Sequence, residues 1–340
     1  MLAGGTTPGS LLDAGTPESY LCLMIHRFAI AALATVTMAS GSSRATAQAN
    51  HDPAAARLVT EDVPRFWAAF DARTTLGTAR AIDSLYFAPG TLGLKDWIGL
   101  RLTNAKTMAA TVDQVPGYYA SARASTLRIA ADEPKIRAAF TKLKSLYPDA
   151  IFPDVYFLIG RLSSGGTTSP HGLLIGAEMY GRTTDSALAG LGPWLRQVLS
   201  TVDRVPAIVA HELVHYQQAS RSSSLLGHSL REGSADFVAE LLTSDNINAH
   251  VHAWVHADSS RDAALWQEFS RDMLGNDYKQ WFSSDNVALR PKDLGYYMGY
   301  RIAQAYYDSH ADKAAAIKDI LTTRDPVGFL AASGYASRFK

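Results

Sequence analysis

Cysteine is almost absent from this chain. The 340 residues contain a single cysteine, Cys22, close to the N-terminus. The body of the protein therefore has no thiol for a disulfide, a zinc–thiolate site or a cysteine nucleophile. Cys22 also lacks the small-residue context of a lipoprotein cysteine, so we do not expect lipidation. Any metal bound by the body must use His, Glu or Asp side chains.

An excess of charge of one sign is also lacking. Lys plus Arg and Asp plus Glu both number 32, which gives a formal net charge of 0 at pH 7. Because no field of one sign would attract nucleic acid or anionic lipid, we expect neither as a partner. Hydrophobic residues make up 47% of the chain, enough for the core of a globular protein.

No hydrophobic run reaches the roughly 20 residues that a membrane-spanning helix needs. The apolar stretch Phe28–Met38 follows two basic residues and precedes the small-residue sequence Ala47-Gln48-Ala49. This is the pattern of a secretory signal peptide with an A-x-A cleavage site. We predict a leader over residues 1–49, in which Met24 is the true start of the signal peptide. The mature protein is then periplasmic or secreted, with no stable membrane insertion after cleavage.

Apolar residues recur at helical spacing through most of the mature chain. The pattern predicts several short helices over about 57–150, because turn signals interrupt it. Short apolar runs at Val155–Ile159 and Leu173–Ile175 predict two strands, which a hairpin could join. We interpret the intervening Gly165-Gly166 as a turn. Helical spacing returns from Leu188 almost to the C-terminus.

These patterns predict a mostly α fold with a small β-sheet, in the α+β class. No linker divides the mature chain. We therefore expect a single domain over 50–340, with a helical N-terminal part over about 57–150.

The sequence His211-Glu212-Leu213-Val214-His215 lies in an apolar stretch that follows Pro206 and predicts a helix. Residues four apart share one helix face, with Cβ atoms about 5–6 Å apart, so both imidazoles can reach one zinc ion. Glu212 is rotated to the side of the pair, where it can contact a metal-bound water without being a ligand. We predict that His211 and His215 bind Zn²⁺ and that Glu212 is the catalytic base.

A second buried helix is predicted over Leu230–Leu242. We predict Glu232 as the third ligand, because a catalytic zinc needs three protein ligands and a position left for water. Asp236 falls on the same face and can accept the outer ring N–H of a ligating histidine. Glu240 is on the same stripe and is expected to be solvated.

The pattern His-Glu-x-x-His followed by Glu-x-x-x-Asp on the next helix resembles the gluzincin metallopeptidases. The resemblance implies metal binding by His211, His215 and Glu232, a base at Glu212 and an orienting role for Asp236. It also implies that 50–340 form a single zincin-like metallohydrolase domain, in which a pair of helices carries the metal site, and that a strand before the zinc helix pairs with extended substrate.

Further motifs resemble an uncharacterised bacterial family of predicted Zn-dependent proteases, to which gliding-motility lipoprotein B is similar. The resemblance covers most of residues 57–310, and Gln217 departs from it where a hydrophobic residue is usual. The motifs are Leu92-Gly93-Leu94-Lys95-Asp96, Tyr147-Pro148-Asp149, Ile159-Gly160, Gly165-Gly166-Thr167, Ile175-Gly176-Ala177-Glu178-Met179 and Gly295-Tyr296-Tyr297-Met298-Gly299-Tyr300.

The resemblance places the substrate-pairing strand at Leu173–Tyr180. Within it, Glu178 has two interpretations. It could bind the N-terminus of a substrate, or form a structural ion pair with a nearby basic residue, which is the commoner case.

Peptide hydrolysis also needs a donor that stabilises the oxyanion. We favour Tyr297, although for each aromatic candidate an ordinary core side chain with a satisfied hydroxyl is the commoner case. The other candidates are Tyr296, Tyr300, His171 and His228.

Two further clusters carry weaker signals. His250, His252 and His256 include a pair at ligand spacing, but no acidic motif accompanies them, so we expect a solvated face rather than a second metal site. Ser222–Ser224 lacks the flanking glycines of a serine nucleophile and is expected to be a loop.

The sequence therefore predicts an exported zinc metallopeptidase that acts on a peptide or protein substrate. Two alternatives stay open. One is a non-catalytic cell-envelope accessory protein that keeps the zinc site, and the other is a zinc hydrolase of a non-peptide amide or ester. The oligomeric state does not follow from the sequence.

Overall fold

A computed structural model describes residues 49–219, 223–283 and 290–339. The predicted leader, including Cys22 and Met24, lies outside these residues except for its last residue, Ala49. None of the helices in the described ranges is both long and apolar enough to cross a membrane.

The prediction of a mostly α fold with a small sheet is confirmed. The strands are β1 Leu58–Val59, β2 Val155–Leu158, β3 Gly166–Ser169 and β4 Gly172–Gly176. The helices are α1 Asp62–Leu76, α2 Thr78–Ala81, α3 Leu92–Trp97, α4 Ala105–Gln114, α5 Pro116–Thr126, α6 Glu133–Leu146, α7 Pro193–Val198, α8 Val205–Gln217, α9 Leu225–Thr243, α10 Ala249–His256, α11 Arg261–Asp272, α12 Lys279–Phe282, α13 Leu294–Ser309, α14 Lys313–Thr322 and α15 Pro326–Ser333. Helices α2 and α3 continue as π-helical turns, Ile82–Phe87 and Ile98–Leu102.

The sheet is mixed, with strand order β1-β2-β4-β3. Strands β2 and β4 are the two predicted from the sequence, but they pair in parallel, so the expected hairpin between them is wrong. The chain leaves β2, forms β3 first and then returns as β4, which pairs with β3 antiparallel. Gly166, interpreted as part of a turn, is the first residue of β3. Strand β3 is therefore the edge strand on this side of the sheet.

The helical part before β2 packs through the side chains that its spacing predicts. Val63, Phe66 and Phe70 of α1 are all buried. The ring of Phe66 contacts Tyr86 edge-on, with centroids 5.5 Å apart. Tyr119 of α5 lies against the same ring at 5.7 Å, so aromatic side chains from three segments form one cluster.

Helices α9 and α13 approach each other so closely that only glycine fits at the crossing. A Cβ on Gly233 would lie 2.1 Å from the backbone nitrogen of Tyr300, and one on Gly299 would lie 1.7 Å from the carbonyl oxygen of Ser229. Backbone atoms cannot yield as a flexible side chain does, so these positions require glycine. The contact fixes the rotation of α13 relative to the helix that carries Glu232.

Candidate metal centre

The His-Glu-x-x-His motif lies on helix α8, which is buried over most of its length. Pro206 occupies its first turn, where the missing N–H costs nothing, and each residue from Val205 to Val214 is buried. At the other end of the helix, the side-chain oxygen of Gln217 accepts the N–H of Ile151 at 2.9 Å. The side-chain nitrogen of Gln217 donates to the carbonyl oxygen of Ile151 at 2.7 Å. The polar residue that departs from the family pattern thus anchors the end of this helix.

Three side-chain donors converge between α8 and α9. The Nε2 atom of His215 lies 3.1 Å from Oε2 of Glu232, and Nε2 of His211 lies 3.7 Å from the same oxygen. Ligands of one tetrahedral zinc with bonds of 2.0–2.2 Å are about 3.3–3.6 Å apart. All three donor atoms lie within 4.8 Å of one another, close enough to hold a single ion. Only 5%, 7% and 13% of the side chains of His211, His215 and Glu232 are exposed. The structure therefore brings together the three predicted ligands in an arrangement consistent with a metal site.

In both imidazoles Nδ1 has a partner on the side away from Glu232, and Nε2 is directed at Glu232. Nδ1 of His211 is 2.8 Å from Oδ1 of Asp236, whose other oxygen accepts a hydrogen bond from Asn248 at 2.7 Å. Nδ1 of His215 is 2.7 Å from Oε1 of Gln218. Partners of this kind fix the tautomer and the orientation of a ligating histidine.

Asn248 and Gln218 were not predicted from the sequence. Gln218 lies three residues beyond His215, directly after the last residue of α8, so its spacing was a usable signal. Asn248 comes from the loop after α9, twelve residues beyond Asp236, and no local pattern pointed to it.

The charges of the donors compensate one another. Burial by itself lowers the pKa of His211, but the nearby carboxylates of Asp236 and Glu232 outweigh it and raise this pKa to about 10. Burial likewise raises the pKa of Glu232, but His215 and His211 outweigh it and hold this pKa well below its usual range. A proton and a metal ion compete for Nε2 of His211, so metal affinity at this site depends on pH.

Glu212 faces a cavity of about 270 Å³ beside the three donors. Its side chain is buried, and burial raises its pKa above the ordinary value. Gly166 of the edge strand packs directly against it, because a Cβ on Gly166 would lie 2.7 Å from Oε1 of Glu212. The cavity is lined by Ser164, Gly165, Gly166, Met179, Tyr180, Trp194, Val198, Ile208, His211, Glu212, His215, Glu232, Ile247, Asn248, Asp293 and Tyr296.

The tyrosine beside the donors is Tyr296, and the preference for Tyr297 needs correction. Tyr296 lines the cavity and its ring stacks on that of His211, with centroids 6.3 Å apart. The hydroxyl of Tyr297 instead donates to Asp262 at 2.9 Å. Consecutive residues of a helix point about 100° apart, so the two side chains face different surroundings.

Tyr300 is also engaged away from the cavity. Its hydroxyl donates to Glu240 at 2.9 Å, and Asn246 donates to the same carboxylate at 2.8 Å. Glu240, expected to be solvated, is thus a partly buried acceptor between α9 and α13.

The two histidines considered as oxyanion donors have other partners. His171 is paired with Asp96 at 2.8 Å and its side chain is 45% exposed. His228 packs between the rings of Tyr278 and Phe282. Neither lines the cavity.

The second histidine cluster is only partly the solvated face that we expected. The ring of His252 packs against Tyr297 and Tyr300, at 4.9 and 4.5 Å between centroids. His250 and His256 are exposed. Within the described ranges, the group formed by His211, His215 and Glu232 is the set of side chains arranged to hold a metal.

The serine cluster begins outside the described residues, at Ser222. Ser224 caps α9, because its side-chain oxygen accepts the N–H of Gly227 at 3.1 Å.

The expectation that Leu173–Tyr180 is the substrate-pairing edge strand is wrong. Strand β4 is flanked by β2 and β3, and Ala177–Tyr180 forms a 3₁₀ turn. Both interpretations of Glu178 fail as well, because this fully buried carboxylate accepts backbone N–H groups from Gly160 at 2.7 Å and Leu162 at 3.1 Å. The crossover that places β3 at the edge left no signal in the local sequence.

Residues 185–322 match the model of a family described as Predicted Zn-dependent protease (DUF2268). The matched segment runs from α7 to the end of α14 and contains His211, Glu212, His215 and Glu232. No curated protein and no solved structure matches the chain. The match supports a zinc protease as the class of protein, whereas the relation to gluzincins and to gliding-motility lipoprotein B stays a prediction.

Proposed function

We propose that the cavity is the active site of an exported zinc-dependent peptidase. The observation that carries the proposal is the convergence of His211, His215 and Glu232 on one point beside Glu212. The family match over residues 185–322 supports a protease. Export rests on the signal-peptide pattern of the sequence, and we propose a periplasmic or secreted location on that ground.

In this proposal each side chain of the site has a separate role. A zinc ion held by the three donors would polarise the scissile carbonyl and make a water more acidic. Glu212 accepts the proton of the attacking water and passes it to the nitrogen of the leaving amine. Asp236 and Gln218 keep the imidazoles oriented, as their distances of 2.8 and 2.7 Å to the ring nitrogens allow. The hydroxyl of Tyr296 is our candidate for the oxyanion donor.

The edge strand favours an extended peptide over a small amide or ester. One side of β3 pairs with β4, and the first residue of β3, Gly166, lies against Glu212. An extended chain can add to the other side of such a strand through main-chain hydrogen bonds. A second cavity of about 440 Å³ adjoins the first and shares Tyr180, Val198 and Asp293 with it, which leaves room for residues beyond the scissile bond.

The proposal is tested by digesting a peptide library with the mature, zinc-loaded protein and identifying the products by mass spectrometry. We expect cleavage that stops with a chelator and returns with added zinc. The matched control is His215→Ala, which should lose both zinc and cleavage. A zinc-loaded protein that cleaves no peptide would instead support the accessory protein, and turnover of non-peptide amides or esters alone would support the other alternative.

A further inference from the structure

The loop between β2 and β3, residues 159–165, sets the position of the edge strand. Ser164 and Gly165 line the cavity, and Gly166 begins β3 against Glu212. The carbonyl oxygen of Gly165 also accepts the N–H of Gly176 in β4 at 3.0 Å. Any shift of this loop therefore moves the rim of the cavity relative to Glu212.

Glu178 binds backbone N–H groups of the loop through its side chain. Its two oxygens accept the N–H groups of Gly160 and Leu162 and do not line the cavity. Leu162 has a φ of 59°, a left-handed conformation that is unfavourable for a side chain of this kind. Among the described residues no cation forms an ion pair with Glu178, and its side chain accepts hydrogen bonds from the backbone N–H groups of Gly160 and Leu162.

Two tyrosines of the N-terminal helical part hold the start of the loop. Tyr119 donates its hydroxyl to the carbonyl oxygen of Gly160 at 2.8 Å. Tyr86 donates to the carbonyl oxygen of Ile159 at 2.8 Å and accepts its N–H at 2.9 Å. Both tyrosines are fully buried.

These contacts lie outside the segment that matches the protease family. The match begins at residue 185, after β3, β4 and Glu178. The matched segment carries the metal donors, whereas the segment before it supplies the edge strand and the groups that hold it.

We propose that Glu178, Tyr86 and Tyr119 form a positioning clamp that holds β3 at the register needed to bind extended substrate beside Glu212. The clamp touches neither substrate nor metal. It acts through the β2–β3 loop, and the inference rests on the proposed peptidase function for its effect on substrate binding.

The clamp is tested with Glu178→Gln and Tyr119→Phe. A glutamine oxygen can accept one of the two N–H groups, but its amide nitrogen cannot accept the other. Tyr119→Phe removes only the bond to Gly160. We expect KM for a long peptide that spans β3 to rise about tenfold, the effect of one lost hydrogen bond in a buried site. We expect kcat and zinc affinity to stay within about twofold, because the metal donors keep their partners.

Two comparisons separate positioning from a general loss of stability. A short peptide that does not extend along β3 should keep its KM in both variants. The matched control is Tyr335→Phe, which removes the hydrogen bond of a buried tyrosine to Asp262, outside the loop, and should leave KM for the long peptide unchanged. Equal losses on both peptides, or an unchanged KM for the long peptide in the folded variants, would overturn the clamp.

Hydrogen exchange gives a readout that does not need turnover. In Tyr119→Phe, the milder variant, amides of Gly166–Ser169 should exchange faster than in wild type, while amides of α9 should not change. Unchanged exchange in β3 would overturn the clamp even if the protein cleaved no peptide. Faster exchange in an inactive protein would support the clamp and leave the proposed function as the part that failed.

Discussion

Removing the carboxylate of Asp236 should weaken zinc binding without removing a ligand. Asp236 is 1% exposed and lies between Nδ1 of His211 and the amide of Asn248. The substitution Asp236→Ala leaves both buried groups without their partner and lets the imidazole turn. Loss of such a support typically weakens metal binding about 10–100-fold, or about 1.4–2.7 kcal/mol. We expect the upper end, because water has little access to replace the carboxylate.

The assay is competition for zinc against a chromophoric chelator at neutral pH, with folding checked by circular dichroism. The control is Glu240→Ala, one helical turn further along α9. Its carboxylate also accepts two hydrogen bonds but does not contact a metal donor, so the zinc dissociation constant should change less than about twofold. Wild-type affinity in Asp236→Ala, or an equal loss in both variants, would refute the role of Asp236.

Three further predictions follow from single contacts. Gly166→Ala places a carbon 2.7 Å from Oε1 of Glu212, so kcat should fall about tenfold or more while zinc stoichiometry stays the same, as measured by steady-state kinetics and metal analysis. Tyr296→Phe should lower kcat/KM about 100-fold and Tyr297→Phe less than twofold, since only Tyr296 lines the cavity while the hydroxyl of Tyr297 is bound to Asp262, and comparable losses would contradict this. Burial raises the pKa of Glu178 from 4.5 to about 7, so its contribution to stability is present below pH 4.5 and is lost as pH rises through 7. Across that window the unfolding free energy of wild type relative to Glu178→Gln should fall by about 3 kcal/mol in urea titrations, and parallel pH profiles would contradict this.

The side chains that share one face of α8, and those that share one face of α9, could be predicted because helical periodicity alone sets them. Two histidines four apart must share a face, and so must Glu232 and Asp236. The buried surroundings followed from the uninterrupted apolar residues before His211. What the sequence left open was the packing partner of each face.

Tyr296 shows why such packing is harder to predict. The sequence gives two adjacent tyrosines, and which of them faces the metal donors depends on the rotation of α13. That rotation is set by backbone contacts at Gly233 and Gly299, which join residues far apart in sequence. A local pattern contains no information about this angle.

Strand β3 was missed for a different reason. It has four residues and none of them is a large apolar residue, so alternation could not reveal it. Its place at the edge follows from the parallel pairing of β2 with β4, a long-range property of the chain. The substrate-pairing role was consequently expected at β4, which has a strand on each side.

The central claim is that Glu212 performs base catalysis next to a zinc held by His211, His215 and Glu232. Its most direct test compares kcat for wild type and Glu212→Gln on one peptide that wild type cleaves, with zinc content measured in the same samples. The account predicts one zinc per chain in both proteins and a kcat lower by about 10²–10⁴-fold in the variant. A zinc-loaded Glu212→Gln that turns over at the wild-type rate would contradict it.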